Sequence, residues 1–176
     1  MGSLLKVSEF LDGINERIGK TVSWLVLFLT LLTAWDVTAR YLFHSGSVAL
    51  QELEWHIFAT IFLLSAGYTL KNNAHVRVDI IYSRLSKKGR AVINLFGSLL
   101  FLLPFCTLMI YASSGFVESS FSVRESSGDP GGLPARYILK AMIPAGFFLL
   151  LVQGVSLILR SLAEILERST HEDGSA

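Results

Sequence analysis

Two acids, Glu52 and Glu54, stand at the mouth of the apolar run VALQELEWHIFATIFLL, Val48 to Leu64. Carboxylates in that position have two chemistries open to them: solvated caps of a helix, or desolvated partners of a cation. The charge-free part of the run, Trp55 to Leu70, holds 16 residues. That is about 24 Å of helix against a hydrocarbon core of about 30 Å. A crossing helix must therefore draw in Gln51 to Glu54, which brings both acids to the membrane boundary. Arg40 follows Asp36 by four residues on one helical face, and the short turn FHSGSVA returns the chain toward the acids. An unpaired charge inside lipid costs about 3 kcal/mol or more. The spacing thus predicts a cluster in which Arg40 meets Glu52 or Glu54, with Glu52 the stronger partner. His56, four residues after Glu52, is expected to form an interfacial hydrogen-bonded pair with it rather than a metal or haem ligand.

The elements that must position these residues are set by composition. Of 176 residues, 52% are hydrophobic and 16% charged, and the mean hydropathy is +0.53. That composition marks an all-α integral membrane protein. Four stretches are long enough to cross: Thr21–Phe43, Gln51–Leu70, Ala91–Ala112 and Ile138–Leu159. The first is too long and too charged at its end for a cleaved signal peptide and is read as an anchor. Ahead of it, residues 3–19 place Leu4, Val7, Leu11, Ile14 and Ile18 at steps of three and four, with Glu9, Asp12, Asn15, Glu16 and Arg17 elsewhere. This predicts an amphipathic helix lying on the membrane surface or against a partner. Residues 1–176 form a single membrane domain with no repeat or long linker.

Lys and Arg between the spans set the orientation. The N-terminal segment carries Lys6, Arg17 and Lys20; the middle loop carries six, from Lys71 to Arg90; the tail carries Arg160 and Arg168. Against these stand Arg40, Arg124, Arg136 and Lys140. Both termini and the middle loop are therefore expected in the cytoplasm. A net charge of +1 offers no field for nucleic acid. Cys106, alone within an apolar run, reads as packing. The chain has no HExxH, phosphate loop or paired cysteines, so an enzyme is not expected and neither is a cofactor. Mid-span polar groups are few, chiefly Asn94 and Gln153, which argues against an ion pathway within this chain. The residues alone thus describe an accessory subunit packed on a larger membrane protein. The rival readings are a haem-binding or anchor subunit of a membrane oxidoreductase, and a free-standing transporter or channel.

The segments RYLFHSG and QELEWHIFATIFLLSAGYTLKNNAHVRVDIIYSRLSKKGR carry the reading further. Together they resemble the small permease subunit of tripartite ATP-independent periplasmic (TRAP) transporters, the DctQ type. The likeness includes Arg40 and Tyr41 closing the first span, Glu52 and Glu54 opening the second, Gly67 at its exit, and the loop signature HVRVD with His75, Arg77 and Asp79. The segment DPGGLPARY before the last span is similar to a subset of the family. One departure is that Ala49 and Leu50 stand where many members carry Trp, while Trp55 follows the acids. The resemblance implies a scaffold subunit of a secondary transporter in the bacterial inner membrane. Its partners would be a large permease subunit, which carries substrate and sodium, a periplasmic solute-binding protein, and membrane lipids. The implied process is sodium-coupled symport of a small organic acid. The spacing and the resemblance together mark Asp36, Arg40, Tyr41, Glu52, Glu54, Trp55 and His56 as contact residues.

The charge count makes a direct prediction. Cysteines at positions 46 and 128 should react with an impermeant thiol reagent in intact cells, and one at position 86 only after the membrane is opened. Labelling of position 86 in intact cells would invert the topology.

Overall fold

The computed structural model describes residues 2–72 and 85–173. These residues are helical throughout apart from turns and one loop, with no strand among them. The first helix, α1, runs from Gly2 to Leu42. It contains no proline, and it ends where His44 adopts a positive φ of 50° in the HSGS turn. Ser47 then caps α2, Val48–Leu64, by accepting a hydrogen bond from the Leu50 N–H at 3.4 Å. A single residue, Ser65, separates α2 from α3, Ala66–Lys71, and the two together form one crossing of 24 residues.

The third crossing begins with α4, Lys87–Gly97, capped by Ser86. It passes through a wide turn at Ser98–Leu102, in which the Leu103 N–H reaches back five residues to the Ser98 carbonyl, and continues as α5, Leu103–Ser122. Pro104 accounts for the widening. It has no N–H, and its ring displaces the carbonyl four residues earlier, so the preceding turn opens to relieve the clash. The last helix, α6, extends from Arg136 to Asp173 through Pro144. Among the described residues four helices are long and apolar enough to cross a membrane, as the sequence predicts.

Helix α6 is the centre of the bundle. It packs against α1, α2, α3, α4, the wide turn and α5, while α4 and α5 join the rest chiefly through it. Contact is made by small residues. A Cβ on Gly146 would lie 2.6 Å from the Leu63 carbonyl oxygen, and one on Gly67 would lie 2.9 Å from the Leu149 carbonyl oxygen. These glycines let the α2/α3 and α6 backbones approach, which is how helices gain dispersion energy where lipid removes the hydrophobic drive. The bulky side chains point the other way: Trp24, Trp35, Phe58, Phe62, Phe101 and Tyr111 are all exposed on the bundle surface.

The expected separate surface helix at residues 3–19 is instead the first part of α1, continuous with the first span. Its orientation also differs from the expectation. Ser8, Asp12 and Asn15 are buried against α6, while Val7 is 50% and Phe10 70% exposed. The apolar stripe flanks the contact, displaced by one residue, or about 100° of helix rotation. The reason is that α6 is long enough to continue beside α1 and supplies polar partners there. The first, third and fourth crossings are correspondingly longer than hydropathy suggests.

Packing of this kind has a measurable consequence. Gly146→Ala should lower stability by about 1 to 3 kcal/mol, because backbone stands in the way. Gly115→Ala, whose Cβ meets nothing within 4 Å, should be neutral or gain up to about 1 kcal/mol. Thermal unfolding of the purified variants in detergent distinguishes the two.

Candidate functional site

Polar groups gather at two levels of the bundle. On the α2/α3 crossing these levels are marked by Glu52 and Lys71, 19 residues apart. At 1.5 Å per residue that is about 29 Å, the thickness of a hydrocarbon core. One level lies beside the loops at 43–47 and 123–135; the other lies toward the two chain termini.

At the loop level, Glu52 is 4% exposed and its carboxylate is enclosed by the segment leading into α6. Arg136 Nη2 donates to Oε1 at 2.8 Å, the Leu133 N–H donates to Oε2 at 2.6 Å, and the Ser127 hydroxyl donates to Oε1. Ser127 Oγ in turn accepts from Arg136 at 3.1 Å and from the Asp129 N–H at 3.1 Å. The DPGG sequence allows this wrapping. Gly131 sits at a φ of 81°, and a Cβ on Gly132 would fall 2.8 Å from Glu52 Oε2 and 2.4 Å from Ser127. Arg136 also lies 5.8 Å from the Trp55 ring centroid. A carboxylate with one cation and two further donors is satisfied even where water is scarce.

The expected pairing of Arg40 with Glu52 is not formed. Arg40 bonds to Asp36 within α1, and Glu52 takes Arg136 from across the bundle. Asp36 is buried, whereas the Arg40 side chain is 47% exposed and Tyr41 is on the surface. Asp36 Oδ1 and Glu54 Oε1 are buried with no hydrogen-bond partner among the described residues. His56 does bond to Glu52, but through its ring Nδ1–H to the backbone carbonyl at 2.6 Å, and its ring lies tilted by 41° against Trp55 with centroids 4.0 Å apart. His75, Arg77 and Asp79 lie outside the described residues. A second loop-level pair joins Glu125 to Lys140, whose ammonium sits 3.9 Å from the Phe116 ring centroid. The Lys140 hydrogen bond is the main cause that holds the Glu125 carboxyl below the usual range. Its stabilisation is therefore present at neutral pH and is lost only as pH falls through that lowered value.

The terminal-level network escapes a hydropathy reading. Asp12 is 3% exposed. It receives hydrogen bonds from Gln153 Nε2 at 2.7 Å, from the Ser156 hydroxyl at 2.6 Å, and from Arg160. Ser156 commits its one proton to Asp12, so Ser8 donates the 2.9 Å bond between the two serines, and Ser8 accepts from Arg160 Nε at 2.8 Å. Asn15 donates to Gln153 at 3.0 Å and to the Leu149 carbonyl at 3.3 Å. Its carbonyl oxygen fills the space that a Cβ on Gly67 would need. Nearby, Glu16 bridges Lys20 and Lys71. The available signal was a polar stripe in the last span: Gln153, Ser156 and Arg160, at steps of three and four, share one face.

These contacts are structural chemistry, since each carboxylate that joins two helices is met by a cation and further donors. Among the described residues no three His, Cys, Asp or Glu side chains converge as metal ligands do. Arg136→Ala should cost about 3 kcal/mol by stranding Glu52, and Glu52→Gln a similar amount. The double variant should lose less than the sum, while Arg40→Ala and Glu52→Gln, which share no partner, should add. Unfolding midpoints of the single and double variants test both statements.

The family model for tripartite ATP-independent periplasmic transporters, DctQ component, matches residues 29–164. A protein of Haemophilus influenzae, provisionally named a TRAP transporter small permease protein, is 25% identical over 100 residues. That alignment covers 57% of this chain and 62% of the length of its relative. The family match spans well over half of the chain, reaches all four crossings and includes the whole Glu52 enclosure. The protein therefore belongs to the DctQ family, the small membrane-spanning component of TRAP transporters in the bacterial inner membrane, and is not an enzyme.

Proposed function

We propose that the chain is the fixed scaffold of a sodium-coupled uptake system. A large permease subunit would carry substrate and sodium, and a periplasmic binding protein would deliver a small organic acid. The observation that carries this reading is the placement of charge: interhelical ion pairs close within the chain at two levels, Arg136 and Arg160 on α6 lying about 36 Å apart, and the bulky apolar side chains face outward. A bundle arranged in this way is held from within and presents its surface to other membrane components. With the termini in the cytoplasm, the loop level faces the periplasm, where Arg40, Tyr41 and Trp55 are exposed for contact with the large subunit or the docked binding protein. Neither cofactor nor sodium is required on this chain in such a role.

The test is reconstitution. Proteoliposomes with the small subunit alone, the large subunit alone, and both together would be supplied with loaded binding protein and a sodium gradient. Uptake is expected only where both are present, and the two subunits should co-purify. Solute flux through the small subunit alone would replace the scaffold with a free-standing transporter.

A further inference from the structure

The first part of α1 has two opposite faces, and only one is used inside the bundle. Ser8, Asp12, Asn15, Gly19 and Val22 follow each other at steps of four and three and are buried. Two residues away, about 200° around the helix, lies a second row at the same steps: Lys6, Phe10, Gly13, Arg17, Lys20 and Trp24. Apart from Gly13, which is half-buried, these residues are exposed. The Asp12 network fixes the rotation of the helix, so this second row is held facing outward.

Its height is set by the terminal-level charges. Glu16 meets Lys71, which places Arg17 and Lys20 at the edge of the hydrocarbon. Trp24 lies about 6 Å further in, at a depth that suits an indole beneath headgroups. Gly13 lies about 6 Å further out. A glycine inside a helix is unfavourable by about 1 kcal/mol relative to alanine. Gly13 has no packing reason within the chain, since a Cβ there would meet nothing within 4 Å. It leaves a gap between Phe10 and Arg17 where an outside group can approach the backbone. The acids nearest this face are Glu9, exposed on its flank, and Glu16, shared between Lys20 and Lys71. Arg17 forms no ion pair among the described residues, and its charge is available.

We propose that this face of α1 is a binding site for the headgroup of an anionic phospholipid. The phosphate lies over Gly13, between Phe10 and Arg17 and met by the Arg17 guanidinium, while Lys20 adds positive charge on the membrane side and the acyl chains run past Trp24. Charge complementarity and depth select this occupant: the cations stand at headgroup level and the aromatic side chain below them.

The experiment uses the small and large subunits together in nanodiscs of phosphatidylcholine, with or without phosphatidylglycerol. The wild-type complex should retain phosphatidylglycerol in native mass spectrometry and melt at a higher temperature when it is present. Arg17→Gln and Gly13→Leu should each weaken retention about tenfold. In phosphatidylcholine alone Arg17→Gln should keep the wild-type melting temperature and Gly13→Leu should keep or exceed it, and Arg17→Lys should retain the lipid. No preference of the wild type for phosphatidylglycerol overturns the proposal, whatever the variants do. So does undiminished retention in Arg17→Gln and Gly13→Leu. Loss of the large subunit with lipid retention unchanged would assign the face to protein contact and equally overturn it.

Discussion

A carboxylate carried into about 30 Å of hydrocarbon is costly unless a cation and hydrogen-bond donors go with it. The bundle follows from that constraint. Glu52 lies within the second crossing, and the residues that make its burial tolerable come from a loop some 80 positions later: Ser127, the Leu133 N–H and Arg136. The loop cannot wander, because its backbone is a donor to the buried charge. The start of α6 cannot shift, because Arg136 is its first residue. One acid thus fixes how the last crossing enters the membrane, and α6 in turn supports every other helix.

The same constraint explains why the interior is small and polar while the exterior is large and apolar. Lipid solvates Phe and Trp as well as a protein core does, so their exposure carries little penalty. Helices gain instead from close backbone approach, at Gly67 and Gly146, and from hydrogen bonds that have no alternative partner in lipid. Asn15 shows both effects at once. Its amide bonds to Gln153 and to the Leu149 carbonyl, and its oxygen occupies the room that a side chain at position 67 would take.

What the sequence makes legible divides along the same physics. The four crossings are visible because hydropathy reports lipid exposure over some 20 residues, a signal that no local detail erases. Helical spacing makes it visible that His56 and Glu52 are neighbours, but not that the ring bonds to the Glu52 backbone carbonyl while the carboxylate turns to α6. The partner of Glu52 is not, because loop closure between positions 52 and 136 leaves no periodic trace. Arg40 is nearer in sequence, but Asp36 on its own helix holds it. The packed face of residues 3–19 is misread for another reason. In water an apolar stripe marks the buried side, whereas beside a membrane a polar stripe can be the one that needs protein. Ser8, Asp12 and Asn15 find theirs on Gln153, Ser156 and Arg160.

Polar contacts at both levels do more than satisfy charges; they set register. Two apolar helices packed by small residues can slide by one turn, about 5.4 Å, with modest loss, since neighbouring turns offer similar surfaces. Asp12 and Arg160 cannot slide in that way, because displacement by one turn would leave a buried carboxylate without its donors. The Glu52 enclosure imposes the same restriction at the other end of α6. Held at Arg136 and Arg160, 24 residues or about 36 Å apart, α6 has its height and rotation specified relative to α1 and α2.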